Sequence, residues 1–399
     1  MTFNRNEFVG AFSLALDFLE SSLRSNVTNH GKRVALIALR LGEQLGLSSE
    51  DMFDLYAGAM LHDNGMTHAV YDAIDAAKLP DMERDASHCI VGERNLKAFP
   101  FLKNREGMIL YHHEAYDGSG YFGAFGGSIP LLAHIINLAD TTEILYSKGA
   151  DKQAMMERLA LWKGGKFSAE LCEAFEAFGG NLGFWLSLDN KFIAQELARR
   201  APKYDMALSL EELLPIAGIF RRLIDAKSPF TGRHSQGITE KSALMADFYG
   251  FDAERKAKLM IAADLHDAGK LAVPNAVLDK PGALDAAEIE IVKPHPYYTR
   301  KMLENIIGFE DVTEWASNHH EKLDGAGYPY GFTAERLDFE SRLMACIDIF
   351  QALTEDRPYR KPLDQGTVSR IMFDMASKGG IDRQITADVL AANKENMST

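Results

Sequence analysis

The stretch LMIAADLHDAG (259–269) decides the fold prediction, because an apolar run ends there in adjacent histidine and aspartate residues. The first half of the chain repeats this arrangement in LYAGAMLHDNG (55–65). In both stretches the apolar residues follow helical rather than alternating spacing, which predicts a helix that leads into the His-Asp pair. Two such stretches in one chain indicate an internal duplication.

The duplication extends to other histidines and to a glycine-rich segment. An upstream histidine precedes the His-Asp pair by 32 residues in both halves (30 to 62, and 234 to 266). A lone histidine precedes a His-His pair by 24 residues in both halves, and HHEAYDGSGYFG (112–123) aligns with HHEKLDGAGYPYG (319–331). We place the first copy at about 20–150 and the second at about 220–365, within predicted domains 1–205 and 206–399.

The bulk composition limits the class of protein. Of 399 residues, 46% are hydrophobic and 25% are charged, as in globular chains, and helical spacing dominates, so we predict an all-α fold with two tandem helical bundles. A net charge of −14 argues against a nucleic-acid polymer as partner. No apolar run reaches the roughly 18 residues of a membrane span, and the three cysteines lie far apart, so we expect a cytoplasmic protein without a membrane partner.

Each copy contains seven histidines and aspartates that are candidate metal ligands. Imidazole and carboxylate groups suit iron, manganese, nickel or zinc. The aspartate of the His-Asp pair can bridge two metals, and two metals roughly 3.5–4 Å apart can activate water and bind a phosphate. Of the twelve histidines only His68 and His134 fall outside the pattern, and we expect neither to be a ligand. The candidates in the second copy are His234, His266, Asp267, His295, His319, His320 and Asp348, and those in the first are His30, His62, Asp63, His88, His112, His113 and Asp140.

The second copy resembles the HD-GYP family, a branch of the HD-domain metal phosphohydrolases. The resemblance covers about 230–361 and is carried by LHDAGK (265–270), VPNAVLDKPGAL (273–284), the HHEKLDGAGYP segment and DRPYR (356–360). It implies HD-type helical bundles and the hydrolysis of a cyclic dinucleotide, either cyclic di-GMP or 3',3'-cyclic GMP-AMP, at a centre of two or three metals. The product would be the linear dinucleotide, with further cleavage to mononucleotides left open.

The resemblance also implies roles for individual residues of the second copy. The seven candidates become metal ligands, with Asp267 as the bridge, and Lys270 contacts the scissile phosphate. The loop Gly327-Tyr328-Pro329 shapes the pocket for a base. Arg357 and Arg360 bind the second phosphate, in agreement with the preference of guanidinium groups for phosphate oxygens; the alternative is an ion pair that fixes the loop.

Several positions depart from the family pattern. Phe230 stands where members with three metals have a glutamate, so we predict two metals, iron, manganese or nickel, in the second copy. Gln351 replaces an aspartate three residues after the last ligand. In the first copy Met66 stands at the lysine position, Phe122 replaces the proline, and no RPYR follows. We interpret the first copy as a degenerate, regulatory domain, with two more metals as an open option.

Two other functions remain open at this stage. One is a non-catalytic receptor for cyclic dinucleotides, which Gln351 favours slightly. The other is an HD phosphohydrolase that acts on a different nucleotide, against which the Tyr328-Pro329 pair and the RPYR run argue. The sequence leaves the choice between a monomer and a homodimer open.

Overall fold

The computed structural model describes residues 2–24, 29–66, 86–203, 205–227, 234–355 and 361–394, without the side chains of 2–5, 21–24 and 205–207. His68, Phe230, Arg357 and Arg360 therefore lie outside the described residues. The chain divides into two compact units. The N-terminal unit consists of Arg5–Glu20 and Asn26–Asp205, and the C-terminal unit consists of Met1–Asn4, Ser21–Ser25 and Met206–Thr399.

The all-α prediction is confirmed. The first helices are α1 (Arg5–Arg24), α2 (His30–Gln44), α3 (Ser49–Leu61), α4 (Ser87–Leu96), α5 (Leu131–Ser147), α6 (Lys152–Trp162), α7 (Ala169–Gly179), α8 (Leu182–Ser187) and α9 (Ile193–Arg200). They are followed by α10 (Leu210–Lys227), α11 (His234–Phe248), α12 (Ala253–Leu265), α13 (Asn275–Leu278), α14 (Ala286–Val292), α15 (His295–Leu303), α16 (Glu310–Ser317), α17 (Phe339–Thr354), α18 (Gln365–Ser377) and α19 (Arg383–Ala392). Short 3-10 helices span Gly126–Ser128 and Ala268–Ala272, and the strands β1 (Thr2–Asn4) and β2 (Asp205–Ala207) pair with each other. Among the described residues, no helix has both the length and the apolar character needed to cross a bilayer.

Helix α2 forms the centre of the N-terminal unit. It packs against α3, α5, α7 and α9. Its residues Val34, Leu36, Leu39 and Leu41 are at most 1% exposed, since neighbours cover the helix on several sides. Removal of this apolar surface from water is the main source of the unit's stability.

The C-terminal unit is built around α11 and α12. Helix α12 packs against α10, α11 and α16, and α17 packs against α11 and α19. Helix α12 begins where the Asp252 side chain accepts a hydrogen bond from Arg255 N at 2.8 Å, and α3 begins in the same way where Ser48 accepts one from Asp51 N at 3.1 Å. Both helices end at the leucine before a His-Asp pair, so matched capping and matched length place the two pairs equivalently.

A glycine in each unit lets the turn after the His-Asp pair approach the helix that carries the next histidine. A Cβ atom on Gly269 would lie 1.9 Å from the carbonyl oxygen of His295. A Cβ atom on Gly65 would lie 2.0 Å from the carbonyl oxygen of His88. No other residue type fits at such a distance, so these glycines bring distant parts of the ligand pattern together.

Candidate metal centre

In the C-terminal unit the seven candidate ligands come from five helices or from the turns that follow them, and they converge on one buried point. His234 and His295 are the first residues of α11 and α15, the His-Asp pair follows α12, the His-His pair follows α16, and Asp348 lies within α17. Six of the seven are buried and His320 is partly exposed. The packing of these helices thus brings ligands from five separate elements into one cavity.

Asp267 lies at the centre of this cluster. Its Oδ2 is 3.3 Å from His266 Nε2, and its Oδ1 is 3.3 Å from His295 Nε2 and 3.9 Å from His319 Nε2. On one side, His234 Nε2 lies 3.1 Å from Asp348 Oδ1. The ligand atoms form overlapping groups, with members within 4.8 Å of one another: His234, His266 and Asp348; His266, Asp267 and His319; and His295, His319 and His320. Two neighbouring cation positions with Asp267 between them match this arrangement.

Backbone carbonyl groups fix the orientation of three of the imidazoles. His266 Nδ1 lies 2.7 Å from Ala263 O, and His295 Nδ1 lies 2.8 Å from Val292 O. His319 Nδ1 lies 2.7 Å from the carbonyl oxygen of residue 316. A carbonyl oxygen only accepts, so Nδ1 must donate, and the lone pair on Nε2 of each neutral ring faces the cluster.

The donor atoms of the cluster fit divalent cations. His266 Nε2 and Asp267 Oδ1 are buried and make no hydrogen bond within the part of the chain that the structure describes. Imidazole lone pairs and carboxylate oxygens about 3.3 Å apart repel each other unless positive charge lies between them. Burial, followed by the neighbouring His295, lowers the pKa of His320 to about 3, so this ring is neutral and able to bind a metal at neutral pH.

His234 differs from the other imidazoles because carboxylates flank it on both sides. Its Nδ1 lies 3.0 Å from both carboxylate oxygens of Glu355, opposite Asp348 at Nε2. Burial lowers the pKa of His234, but the hydrogen bonds to Asp348 and Glu355 outweigh burial and raise it to about 9. A cation at Nε2 would take the place of the proton held there.

The predicted phosphate and base contacts lie beside the cluster where the structure describes them. Lys270 Nζ is 2.6 Å from Asp267 Oδ2 and its side chain is partly exposed. The Tyr328 ring lies 4.9 Å from the His320 ring, and Tyr328 N donates to His320 O at 3.2 Å. A Cβ on Gly327 would lie 2.5 Å from Glu321 Cα, so this glycine lets the loop fold against the His-His segment.

Glu321 holds that loop in place and was not singled out in the sequence. Its buried carboxylate accepts hydrogen bonds from Tyr330 N at 2.8 Å and from Phe332 N at 2.9 Å. In the N-terminal unit Glu114 likewise accepts from two amides of its own glycine-rich loop, Phe122 N and the amide of residue 124, both at 2.8 Å. The repeated triplet His-His-Glu was the available signal, since the glutamate follows the ligand pair in both copies.

The N-terminal unit assembles its own seven candidates in a similar way. His30 Nε2 lies 3.3 Å from Asp140 Oδ1 and 3.2 Å from His62 Nε2. His62 Nε2 lies 3.4 Å from Asp63 Oδ2. His88, His112 and His113 form a neighbouring group in which the Nε2 atoms of residues 88 and 113 are 3.1 Å apart.

Two side chains distinguish the N-terminal cluster from the C-terminal one. Met66 is buried at the position of Lys270 and brings no charge. Cys89 belongs to the histidine group, with its Sγ 3.4 Å from His88 Nε2, whereas Pro296 follows the equivalent His295. The sequence analysis did not single out Cys89, although its position directly after the candidate ligand His88 is visible in the sequence.

The remaining described histidine and the cysteine near Asp348 have packing roles. His134 is stacked between the rings of Tyr116 and Phe167, at centroid distances of 5.6 and 5.8 Å. Burial lowers its pKa to about 4. Cys346 Sγ lies 3.8 Å from Thr386 Oγ1, and neither His134 nor Cys346 is among the ligands predicted from the sequence.

The comparisons with known proteins agree with this geometry. The family model described as HD domain matches residues 17–163 and 218–385, one segment for each copy and more than half of the chain. The chain belongs to the HD domain family. Its predicted membership of the HD-GYP branch is confirmed by the relatives and the solved structure that follow, and metal dependence is a property of HD-domain phosphohydrolases in general.

Two Vibrio cholerae relatives match this HD-domain protein along nearly its whole length. The 3'3'-cGAMP-specific phosphodiesterase 1 is 30% identical over 92% of this chain and 87% of the relative, and the 3'3'-cGAMP-specific phosphodiesterase 3 is 29% identical over 91% and 90%. The cyclic di-GMP phosphodiesterase response regulator RpfG of Xanthomonas campestris pv. campestris is 35% identical, but over 35% of this chain and 38% of that protein. The crystal structure of a V. cholerae cyclic GMP-AMP specific phosphodiesterase, V-cGAP3, is similar with a TM-score of 0.70 and 26% identity, covering 99% of this chain and 98% of that one.

Proposed function

We propose that the protein is a metal-dependent phosphodiesterase that opens cyclic dinucleotides, with 3',3'-cyclic GMP-AMP as its main substrate and the linear dinucleotide as product. The observation that carries this proposal is the placement of Asp267, whose two oxygens face different histidines at 3.3 Å. Such a carboxylate can hold two cations at the spacing that phosphodiester hydrolysis uses.

The predicted domain 206–399, which makes up most of the C-terminal unit, is the proposed catalytic domain. Two divalent transition metals, iron, manganese or nickel, would be held by His234, His266, Asp267, His295, His319, His320 and Asp348. When bound, such a pair supplies an activated water as nucleophile and positive charge at the phosphoryl oxygens. The neutral rings of His319 and His320 keep their lone pairs available, because burial and neighbouring imidazoles lower the pKa of both.

Lys270 is the proposed contact to the scissile phosphate. Its ammonium lies 2.6 Å from Asp267 Oδ2, within reach of any group held at the central carboxylate, and its side chain is partly exposed. A fixed positive charge at that place stabilises the negative charge that develops on the phosphoryl oxygens. Asp267 and Lys270 are thus the residues that we assign to catalysis.

The loop Gly327-Tyr328-Pro329 is the proposed wall of the base pocket. The Tyr328 ring, held against His320, offers an aromatic face beside the metal ligands, and stacking on such a face is a common way to hold a base. Arg357 and Arg360 remain the proposed contacts of the second phosphate, from the sequence alone.

The preference for 3',3'-cyclic GMP-AMP over cyclic di-GMP is supported by the extent of similarity. The two relatives that match 92% and 91% of the chain, tandem copies included, are both named for 3'3'-cGAMP. RpfG, named for cyclic di-GMP, matches 35% of the chain. Cyclic di-GMP therefore stays as the second candidate substrate.

The N-terminal unit, predicted as domain 1–205, is proposed to be regulatory. Its cluster of His30, His62, Asp63, His88, His112, His113 and Asp140 offers room for two more metals, but Met66 brings no charge to a phosphate. A nucleotide held there would lack the cation that Lys270 supplies in the other unit.

A substrate panel tests the proposed function. The purified protein is loaded anaerobically with Fe²⁺, Mn²⁺ or Ni²⁺, incubated with 3',3'-cyclic GMP-AMP, cyclic di-GMP and a linear phosphodiester, and the products are separated. We expect fastest cleavage of 3',3'-cyclic GMP-AMP and none in the double variant His266→Ala, Asp267→Ala. Tight nucleotide binding without product in all three metals would instead identify a receptor, and cleavage of the linear diester alone would identify a different phosphohydrolase.

A further inference from the structure

The first histidine of each copy is oriented by a carboxylate, but the two copies supply this carboxylate from different positions. In the N-terminal unit, Glu143 follows the ligand candidate Asp140 by three residues, and its Oε2 lies 2.5 Å from His30 Nδ1. In the C-terminal unit the residue at this position is Gln351, an amide. The contact to His234 Nδ1 comes instead from Glu355, four residues further on, with both oxygens at 3.0 Å.

The residues around each carboxylate change together with it. Glu143 accepts hydrogen bonds from Arg33 Nε and Ser147 Oγ, both at 2.7 Å. Ser147 in the first copy corresponds to Glu355 in the second, because each lies seven residues after the last candidate aspartate. Arg33 corresponds to Gly237, because each lies three residues after the first histidine.

Gln351 occupies the space that opens at Gly237. A Cβ atom on Gly237 would lie 2.3 Å from Gln351 Nε2, so a larger residue there would displace the amide. Gln351 Nε2 in turn donates to Glu355 Oε2 at 3.1 Å. Three positions therefore differ as a set. In the first copy they are arginine, glutamate and serine, joined by hydrogen bonds, and in the second they are glycine, glutamine and glutamate, of which the last two are hydrogen-bonded.

Helix geometry explains why the two positions are interchangeable. Residues three and seven positions after Asp348 lie on the same face of α17 as the ligand itself, one turn apart. Glu355 directly follows the last residue of α17, and its side chain is only 8% exposed in the contact with His234. Both positions can therefore reach the ring nitrogen that faces away from the cluster.

We propose that Glu355 is the positioning residue of His234, replacing the carboxylate that the family pattern and the first copy place three residues after the last aspartate. The inference rests on the proposed metal site. By accepting the Nδ1 proton, Glu355 fixes the tautomer and directs Nε2 towards Asp348 and the cation. Loss of such an outer partner typically weakens metal affinity about 10- to 100-fold.

The test measures metal binding by the full-length chain carrying His62→Ala and Asp63→Ala, which weakens the N-terminal cluster. Mn²⁺ is titrated and the free ion is followed by its EPR signal. We expect Glu355→Gln to weaken Mn²⁺ affinity about 10- to 100-fold, with activity recovering at high Mn²⁺ and the KM for nucleotide unchanged. The variant Gln351→Glu, Glu355→Ser recreates the arrangement of Glu143 and Ser147, and we expect it to recover most of the affinity.

The controls separate this inference from the proposed function. Asp374→Asn removes an exposed carboxylate on α18 and should leave Mn²⁺ affinity unchanged. If Glu355→Gln binds Mn²⁺ as tightly as the parent chain, Glu355 has no positioning role. The same conclusion follows if the variant Gln351→Glu, Glu355→Ser binds Mn²⁺ weakly although its thermal unfolding matches that of the parent. If the parent chain itself neither binds Mn²⁺ nor cleaves a cyclic dinucleotide, the proposed function fails instead.

Discussion

The clusters of the two units share a framework and differ in the residues around it. His234 and Asp348 lie 3.1 Å apart, and their counterparts His30 and Asp140 lie 3.3 Å apart. The distances within the two His-Asp pairs are 3.3 and 3.4 Å. The framework is nearly constant because it is fixed by helix ends and by a glycine turn in each unit.

What differs is the charge beside the framework. In the C-terminal unit the position three residues after the central aspartate holds Lys270, and in the N-terminal unit it holds the buried Met66. A set of candidate metal ligands can therefore keep its arrangement even where the lysine that we propose to contact the phosphate is absent. The comparison separates the capacity to bind a cation from the capacity to stabilise a transition state.

The largest expected effect comes from removing the central aspartate of each unit in turn. We expect Asp267→Ala to lower kcat/KM for 3',3'-cyclic GMP-AMP more than about a thousandfold, because both cation positions lose a shared ligand. Asp63→Ala should lower it by less than about tenfold, since that unit is proposed to regulate rather than to cleave. Steady-state kinetics of the two variants decides the point, and equal losses would show that both units take part in turnover.

The next effect comes from giving the C-terminal unit the methionine of the N-terminal one. We expect Lys270→Met to lower kcat about 100- to 1000-fold through loss of charge stabilisation, while Mn²⁺ still binds. Lys301→Met, on an exposed part of α15, is the matched control. A rise in KM with unchanged kcat would show that Lys270 binds the ground state only.

Alanine at the two turn glycines tests whether the frameworks are held in the same way. We expect Gly269→Ala and Gly65→Ala each to cost about 3 kcal/mol of unfolding free energy, because a Cβ would overlap a carbonyl oxygen in both units. Denaturant unfolding measures the loss. Gly10→Ala and Gly218→Ala are the controls, because both glycines lie in helices with room for a methyl group. A loss of unfolding free energy in Gly269→Ala but not in Gly65→Ala would show that the two turns do not hold the clusters in the same way.

The smallest effect concerns His134, whose counterpart six residues before the last aspartate of the second copy is Arg342. The folded pKa of about 4 lies below the ordinary value, so the unfolded chain binds the proton more tightly and stability falls as pH drops from 6.5 towards 4. Between pH 7 and pH 5 this amounts to about 2 kcal/mol. We expect His134→Phe to flatten the pH dependence of thermal unfolding in this window, and an unchanged slope would assign the acid sensitivity to other groups.

The helical fold, the duplication and the family could all be predicted from the amino-acid sequence. These features depend on residue spacing along the chain. An apolar helical run precedes each His-Asp pair, and two of the intervals between histidines, of 32 and 24 residues, are the same in both copies. The candidate ligands were found in the same way, because a metal restricts which residue types can stand at each end of those intervals.

The pairing of the side chains around the candidate ligands could not be predicted and is seen in the three-dimensional structure. The oxygen of Asp267 that faces each histidine and the exchange of Glu143 for Glu355 leave no local pattern, and the repeated His-His-Glu triplet marks the loop-holding glutamates without showing which amides they bind. The contact of His30 with Glu143 spans 113 residues, and that of His234 with Glu355 spans 121. Hydrogen-bond partners over such separations are chosen by the packing of whole helices, so either of two positions on one helix face can serve, and the linear order does not record which one does.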